Sequence, residues 1–407
     1  MTTASMPNVS FLGLPVELVH NIFDYCDTHT ILGSIRSICQ QMYAMVNTYD
    51  RYELILDPES LDITTALAHF IRPEFVVSLT IDHDCWTDAL IYRLTSLFDR
   101  CRSDNKRSRV DQLRLPFSFH QFTRLRSLSL YEIPDADLEY LFENLNTTFL
   151  ISLSIETSEG MFSIAWTLVP SVINRWNLQK LCVGNVPYTT DIVWPVSCTL
   201  KHLAVFSCSY SNYLDILDRL PHLQALVVRG YTAGDMDNTL ISTTASIVRS
   251  SLKSLSIIAS SLRIQDFELI LLSVLSLRHL KLISKRQQFD SVFDASYWEQ
   301  LTGSKLPNLD KLEFFFAYQY DTNDHFINLE SLVAPFRAQF WVQTKRWFVT
   351  CAYAPESDEI WLYTTPTDIF DNEDVLRCEV SWMDNTCRLT QRPLDTMVDN
   401  TPDEVCD

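Results

Sequence analysis

The most compact set of metal-ligating side chains in this chain is Asp82-His83-Asp84-Cys85, which places two carboxylates, an imidazole and a thiol in four consecutive positions. Each could bind a divalent cation. Consecutive residues rarely converge on one ion, and this run follows a strand-like segment, so it reads as a polar loop. Cys39 is a second candidate, but it falls in an apolar helical setting, where a thiol serves as core and not as nucleophile. The 9 histidines are scattered, and no G-x-x-x-x-G-K, G-x-G-x-x-G, H-E-x-x-H or G-x-S-x-G run occurs. Only 7 glycines are present, and phosphate cradles need glycine where backbone meets ligand. The expectation is a protein without catalytic residues, metal or cofactor. An enzyme of unfamiliar type is the rival that a bound metal or cofactor would revive.

What positions side chains in such a protein is set first by bulk composition. The chain has 407 residues, 47% hydrophobic and 20% charged, enough for a small domain and a large one. Net charge is −19, and residues 356–407 carry 14 acidic against 3 basic residues. Phosphate contacts need a basic footprint, so nucleic acid is not an expected partner. The acidic C-terminal stretch serves solubility or meets a basic partner. There are 11 cysteines and no C-x-x-C pair, which fits free thiols such as Cys182 and Cys208 in a reducing compartment. No secretory signal is evident, and the longest apolar stretch, near Leu269–Leu277, is too short to span a bilayer. A cytoplasmic or nuclear protein with no membrane partner is expected.

The first fifty residues read as three short helices. Leu14, Leu18, Val19, Ile22 and Phe23 form a helical stripe. Pro15 suits a helix start and Glu17 the positive end of the helix dipole. Ile31, Leu32, Ile35 and Ile38 form a second apolar set, and Met42, Met45 and Val46 a third. So small a unit buries little surface alone and must lean on a partner or on the next domain.

The ordered set Leu14-Pro15-Val16-Glu17-Leu18, Ile22-Phe23, Leu32, Ile35-Arg36 and Ile38-Cys39 resembles the F-box, with one departure at Met42, where the family often has tryptophan. The resemblance implies docking onto a Skp-type linker protein and, through it, onto a cullin. The implied linker-binding residues are Leu14, Pro15, Glu17, Leu18, Ile22, Phe23, Leu32, Ile35 and Val46. Of these, the apolar Leu14, Pro15, Leu18, Ile22, Leu32, Ile35 and Val46 are expected as partly exposed anchors. The competing reading is an ordinary three-helix cap on the following domain.

Behind this unit an L-x-x-L-x-L pattern recurs, as Leu125-Arg-Ser-Leu128-Ser-Leu130, Leu178-Gln-Lys-Leu181-Cys-Val183, Leu252-Lys-Ser-Leu255-Ser-Ile257 and other copies beginning at Leu150, Leu200, Leu223, Leu277 and Leu309. An earlier variant starts at Val76, and a degenerate one lies near Leu113–Phe117. Positions four and six of each copy alternate with period two, as a strand requires. Stretches of helical length, such as Ile164–Trp176, Leu240–Val248 and Phe267–Leu275, lie between copies.

The pattern resembles the leucine-rich repeat. The ninth position, often asparagine or cysteine in that family, is here Ile133, Ser158, Val186, Cys208, Tyr231, Ser260, Lys285 and Ala317, so no asparagine ladder forms. The expected fold class is α/β: a helical F-box over 11–50, then a leucine-rich-repeat-like solenoid over 51–335 with a parallel inner sheet and outer helices. An F-box before such repeats resembles the substrate adaptors of ubiquitin ligases. The rival is a repeat scaffold with no ubiquitin role.

Positions three and five of each copy face away from the core and are mostly small. They either suit a crowded sheet or admit a partner's backbone closely. Polar grip on an unidentified protein substrate would then come from His202, His279, Lys281, Lys311 and Glu313. Residues 336–392 are dense in aromatic and β-branched residues and read as a β-hairpin capping segment, with a turn at Gln343–Arg346 and an acidic tail over 393–407. Trp341, Trp347 and Trp361 there either cover an open edge or meet a partner.

Overall fold

In a computed structural model of the full chain, the described residues are 11–56, 70–82, 121–133, 135–144, 149–157, 165–188, 192–195, 198–231, 251–258, 263–286, 288–319, 328–355, 357–365, 381–384 and 389–391. The degenerate copy near 113–117, the helical stretch 240–248, residues 83–85 and the tail 393–407 lie outside them. The chain divides into two compact units, Met1–Val186 with Ile192–Thr199, and Pro187–Asp191 with Leu200–Asp407.

The first unit begins with helix α1 (Val16–Phe23). Pro15 sits at its N-cap in extended conformation, and Glu17 lies in its first turn. A π-helix (Thr30–Ile35) runs directly into α2 (Arg36–Ile38). The Asp27 carboxylate anchors this segment, accepting from the Thr30 amide at 2.6 Å and its hydroxyl at 2.7 Å. Those bonds hold the Asp27 pKa below its ordinary value. Helix α3 (Gln40–Thr48) starts at Cys39, whose Sγ accepts from the Met42 amide at 3.5 Å. Cys39 is thus a helix cap, not a residue of an apolar helix face, because its backbone is extended there.

Five parallel strands follow in the same unit: β1 (Tyr52–Leu56), β2 (Val76–Asp82), β3 (Ser127–Tyr131), β4 (Ser152–Glu156) and β5 (Lys180–Pro187). Helix α4 (Asp135–Asn144) links β3 to β4, and α5 (Ala165–Arg175) links β4 to β5. The second unit continues the scheme with parallel β6 (His202–Cys208), β7 (Ala225–Tyr231), β8 (Ser254–Ile258), β9 (His279–Arg286) and β10 (Lys311–Gln319). Helices α6 (Tyr210–Arg219), α7 (Ile264–Leu272) and α8 (Ala295–Ser304) lie between these strands in sequence. Each unit is therefore mixed α/β with a parallel sheet.

The repeated leucines explain the register. Leu203, Leu226, Leu255, Leu280 and Leu312 align across the second sheet, and Val205, Val228, Ile257, Leu282 and Phe314 form the next row. All of these are buried. A one-residue slip would turn both rows to the opposite face, so burial specifies the pairing strongly. The first leucine of each copy, from Leu125 to Leu309, is also buried, just ahead of the strand. Next to it the chain hydrogen-bonds from copy to copy: the Arg126 carbonyl accepts from the amides of Ile151 and Ser152, and the Arg278 carbonyl from those of Asp310 and Lys311.

Hydroxyls supply a further link at three copies. Thr199 donates to the Leu178 carbonyl at 3.0 Å, Ser251 to Leu223 at 2.8 Å and Ser276 to Leu252 at 3.0 Å. Each hydroxyl precedes the first leucine of its copy. It satisfies a backbone carbonyl where the sequence has no asparagine ladder.

Past β10 the sheet changes sense. Strand β12 (Glu359–Thr365) pairs antiparallel with β10, and β11 (Phe348–Ala354) pairs antiparallel with β12. Strands β13 (Ser381–Asp384) and β14 (Leu389–Gln391) extend this antiparallel set. Residues 340–345, expected as strand and turn, are a π-helix ended by Arg346 in left-handed conformation (φ 56°). The cause is Trp341, whose burial against Phe336 and Trp347 requires a helical turn in place of an extended one.

Candidate functional site

Two surfaces hold the residues picked out by sequence, one in each unit. In the first, Val19, Phe23, Ile31, Leu32, Met42, Val46 and Tyr49 make the core of the helical segment. Phe23 and Tyr52 both meet the Tyr49 ring edge-on, with centroids 5.5 and 5.0 Å away. Outside this core Pro15, Glu17, Leu18 and Ile22 are exposed, and Leu14 and Ile35 are half-buried. Leu18 is 49% and Ile22 40% exposed, high for large apolar side chains on one short helix. The expectation of exposed anchors is corrected for Leu32 and Val46, which are buried, as is Phe23. Three short helices must spend these larger side chains on one another to hold together.

Sequence reasoning missed further exposed apolar groups in the same segment. Phe11, Leu12, Val16, Tyr25, Ile38 and Tyr43 are all exposed. Phe11 and Leu12 were legible as an apolar pair ahead of the helix. Ile38 belongs to the second apolar set by sequence, but α2 is only one turn long and leaves it outside. Arg36 stacks over Tyr43 at 4.7 Å and over Phe70 at 4.3 Å, so this part of the surface is amphipathic.

The helical segment is tied to the sheet that follows it. Tyr52, at the start of β1, donates its hydroxyl to the Val46 carbonyl at 3.0 Å. Tyr49 donates to Asp24 at 3.0 Å, and Arg51 pairs with the same carboxylate at 3.2 Å. Asp50 pairs with Arg124, just ahead of β3. Burial raises the Tyr52 pKa to about 12, so its phenol stays a donor at all physiological pH.

In the second unit, His202, His279, Lys281, Lys311 and Glu313 lie on the sheet face opposite the leucine rows. One row across the strands is His202, Ala225, Ser254, His279 and Lys311; the next is Ala204, Val227, Ser256, Lys281 and Glu313. The structure brings three of the five into direct contact. Glu313 pairs with Lys311 and lies 3.3 Å from His279 Nε2, while His279 Nδ1 lies 3.3 Å from the Ser254 hydroxyl. Burial pushes the Glu313 carboxyl up, but the Lys311 hydrogen bond and the His279 and Lys311 charges outweigh it and hold its pKa below the ordinary value. Lys281 stands in the adjacent row, and His202 three strands away on β6.

The three tryptophans are core groups. Trp341, Trp347 and Trp361 are buried, and their indole N–H groups donate to Glu299, the Asp310 carbonyl and Glu359. Of the two readings for them, coverage of the sheet edge is the one their burial supports. Buried thiols fit the same picture: Cys208 and Cys351 lie in apolar surroundings that push their pKa values up to about 12. Among the described residues no cluster of three or more His, Cys, Asp or Glu is placed to hold a metal ion, and no helix is long and apolar enough to cross a membrane.

Residues 11–54 match the F-box domain family. The matched span runs past the three helices into β1, so the domain ends inside the first strand and not before it. No curated protein matches the chain. An F-box domain implies a Skp-type linker as partner and, through it, a cullin.

Proposed function

We propose that this F-box protein is a substrate-recognition adaptor of a Skp-cullin-F-box ubiquitin ligase, acting in the cytoplasm or nucleus and carrying out no bond-making of its own. The observation that carries the reading is the F-box domain at 11–54 with Leu18 and Ile22 left exposed on its first helix. The strand–helix repeats are read as a leucine-rich-repeat-like solenoid, and the sheet face bearing His202, His279, Lys281, Lys311 and Glu313 as the surface that receives a protein target. The mechanism is proximity: holding a target beside a ubiquitin-loaded conjugating enzyme raises its effective concentration. Within the first unit, Tyr49, Tyr52 and Asp50 tie the F-box to the strands that follow it.

Co-expression with a Skp-type linker tests the docking. The linker is expected to co-purify with the wild type and to be lost in Leu14→Asp plus Ile22→Asp. Failure of the wild type to retain it, or retention by the double variant, sinks the reading.

The same join favours one rival, a repeat scaffold whose helices serve only as an N-terminal cap. That rival expects residues 51–407 to be insoluble alone and no linker ever to be recovered.

A further inference from the structure

Strands β6 to β10 hold five cationic residues, Arg229, Lys281, Lys285, Arg286 and Lys311, against one carboxylate, Glu313. In a chain of net charge −19 this is a local inversion of sign. Three of the cations are neutralised: Lys285 by Glu359 at 2.6 Å, Arg286 by Asp290, and Lys311 by Glu313. Arg229 and Lys281 have no carboxylate partner among the described residues. Arg229 is exposed, and Lys281 is half-buried. Glu313 is the register neighbour of Lys281 on β10, but its two oxygens pair with Lys311 and His279, so Lys281 forms no ion pair of its own.

Lys281 alternates along β9 with Ile283, on the face away from the leucine rows. Ile283 aligns with Ile258 on β8, and both are half-buried, while their neighbour Phe315 on β10 packs against the Trp361 and Tyr363 rings. Arg229 follows the core residue Val228 and so alternates back to this face. Two cations that form no ion pair among the described residues therefore border an apolar row, with two strand spacings, roughly 10 Å, between β7 and β9.

We infer that this face of the second unit binds an extended acidic polypeptide segment with interspersed apolar side chains, carboxylates meeting Arg229 and Lys281 and apolar groups lying on Ile258 and Ile283. The inference rests on the reading of this face as the target surface, and supplies the chemistry of the target. Nucleic acid is disfavoured because the rest of the chain is strongly acidic and would repel a long phosphate backbone.

The full-length chain, co-purified with a Skp-type linker, is titrated into a fluorescein-labelled dodecapeptide of alternating Glu and Leu, into its Gln-Leu counterpart, and into an oligothymidine of similar length. The Glu-Leu peptide is expected to bind at least about tenfold more tightly than the Gln-Leu peptide, with affinity falling as salt rises. Arg229→Glu plus Lys281→Glu is expected to lose at least about tenfold of that affinity while keeping the linker and the wild-type melting temperature. Equal binding of the two peptides overturns the inference, as does a charge-reversed variant that binds the acidic peptide like wild type. Tighter binding of oligothymidine, lost in the same variant, overturns it in favour of nucleic acid. These failures leave linker co-purification intact, whereas failure of the adaptor reading shows as a wild type that retains no linker.

Discussion

The Tyr52 hydroxyl donates to the Val46 carbonyl at 3.0 Å, joining the first residue of the sheet to the last F-box helix. Both residues are buried, and the same carbonyl also accepts from the Tyr49 amide. Tyr52→Phe therefore removes one buried bond without orphaning its acceptor, and is expected to cost about 1 kcal/mol. Tyr52→Ala also opens a cavity beside Tyr49 and is expected to cost about 3–5 kcal/mol. Denaturant unfolding measures both. Equal stability of Tyr52→Phe and Tyr52→Ala would show that the aromatic join contributes little.

Exposed and buried F-box positions should separate in their effects. Leu18→Asp changes an exposed side chain and is expected to reduce linker co-purification with the melting temperature within a few degrees of wild type. Val46→Ala removes buried methyls and is expected to cost about 1–3 kcal/mol. Its capture of linker should track the folded fraction. Thermal unfolding and linker pull-down on the same preparations distinguish the two classes.

At the other end, Trp341 is fully buried and donates to Glu299 at 3.0 Å. Trp341→Ala is expected to lose about 3–5 kcal/mol, and Trp341→Phe less, because the ring volume is partly kept. A binding role would instead leave stability near wild type, so the melting temperature of the two variants decides.

Glu313 sets an acid limit on its sheet face. Its folded pKa lies below the ordinary 4.5. A depressed carboxylate contributes stability that is complete above its unfolded value and is lost as pH falls through the folded one. Stability is expected to be unaffected by this group from neutrality down to about pH 5, and to decline below that. In Glu313→Gln the acid-side decline should be shallower. An identical slope in wild type and variant would remove Glu313 from the account.

Sequence legibility followed the range of the interaction. The leucine period named the strands from Leu125 onward, because alternation along a strand is local and its core residues are large and uniform. The F-box was legible for the same reason, as an ordered set of neighbours at helical spacing. Exposure was not: Leu18 and Leu32 are the same residue type on amphipathic segments, yet one is open and the other buried, since only the packing of three helices chooses which face closes. The π-helix at Phe340 was missed because β-branched and aromatic content was read without its partners Phe336 and Trp347.

By itself the amino-acid order determined that this chain begins with an F-box and continues as strand–helix repeats with a small, polar face and a leucine core. Local spacing carries that information, and no distant contact is needed to read it. Tertiary structure alone decided that Tyr52 belongs to both the F-box and the sheet, that His279, Lys311 and Glu313 come together, and that Arg229 and Lys281 form no ion pair among the described residues. Those outcomes depend on which strands lie side by side, and charge pairing across strands is set by register in space and not by distance along the chain.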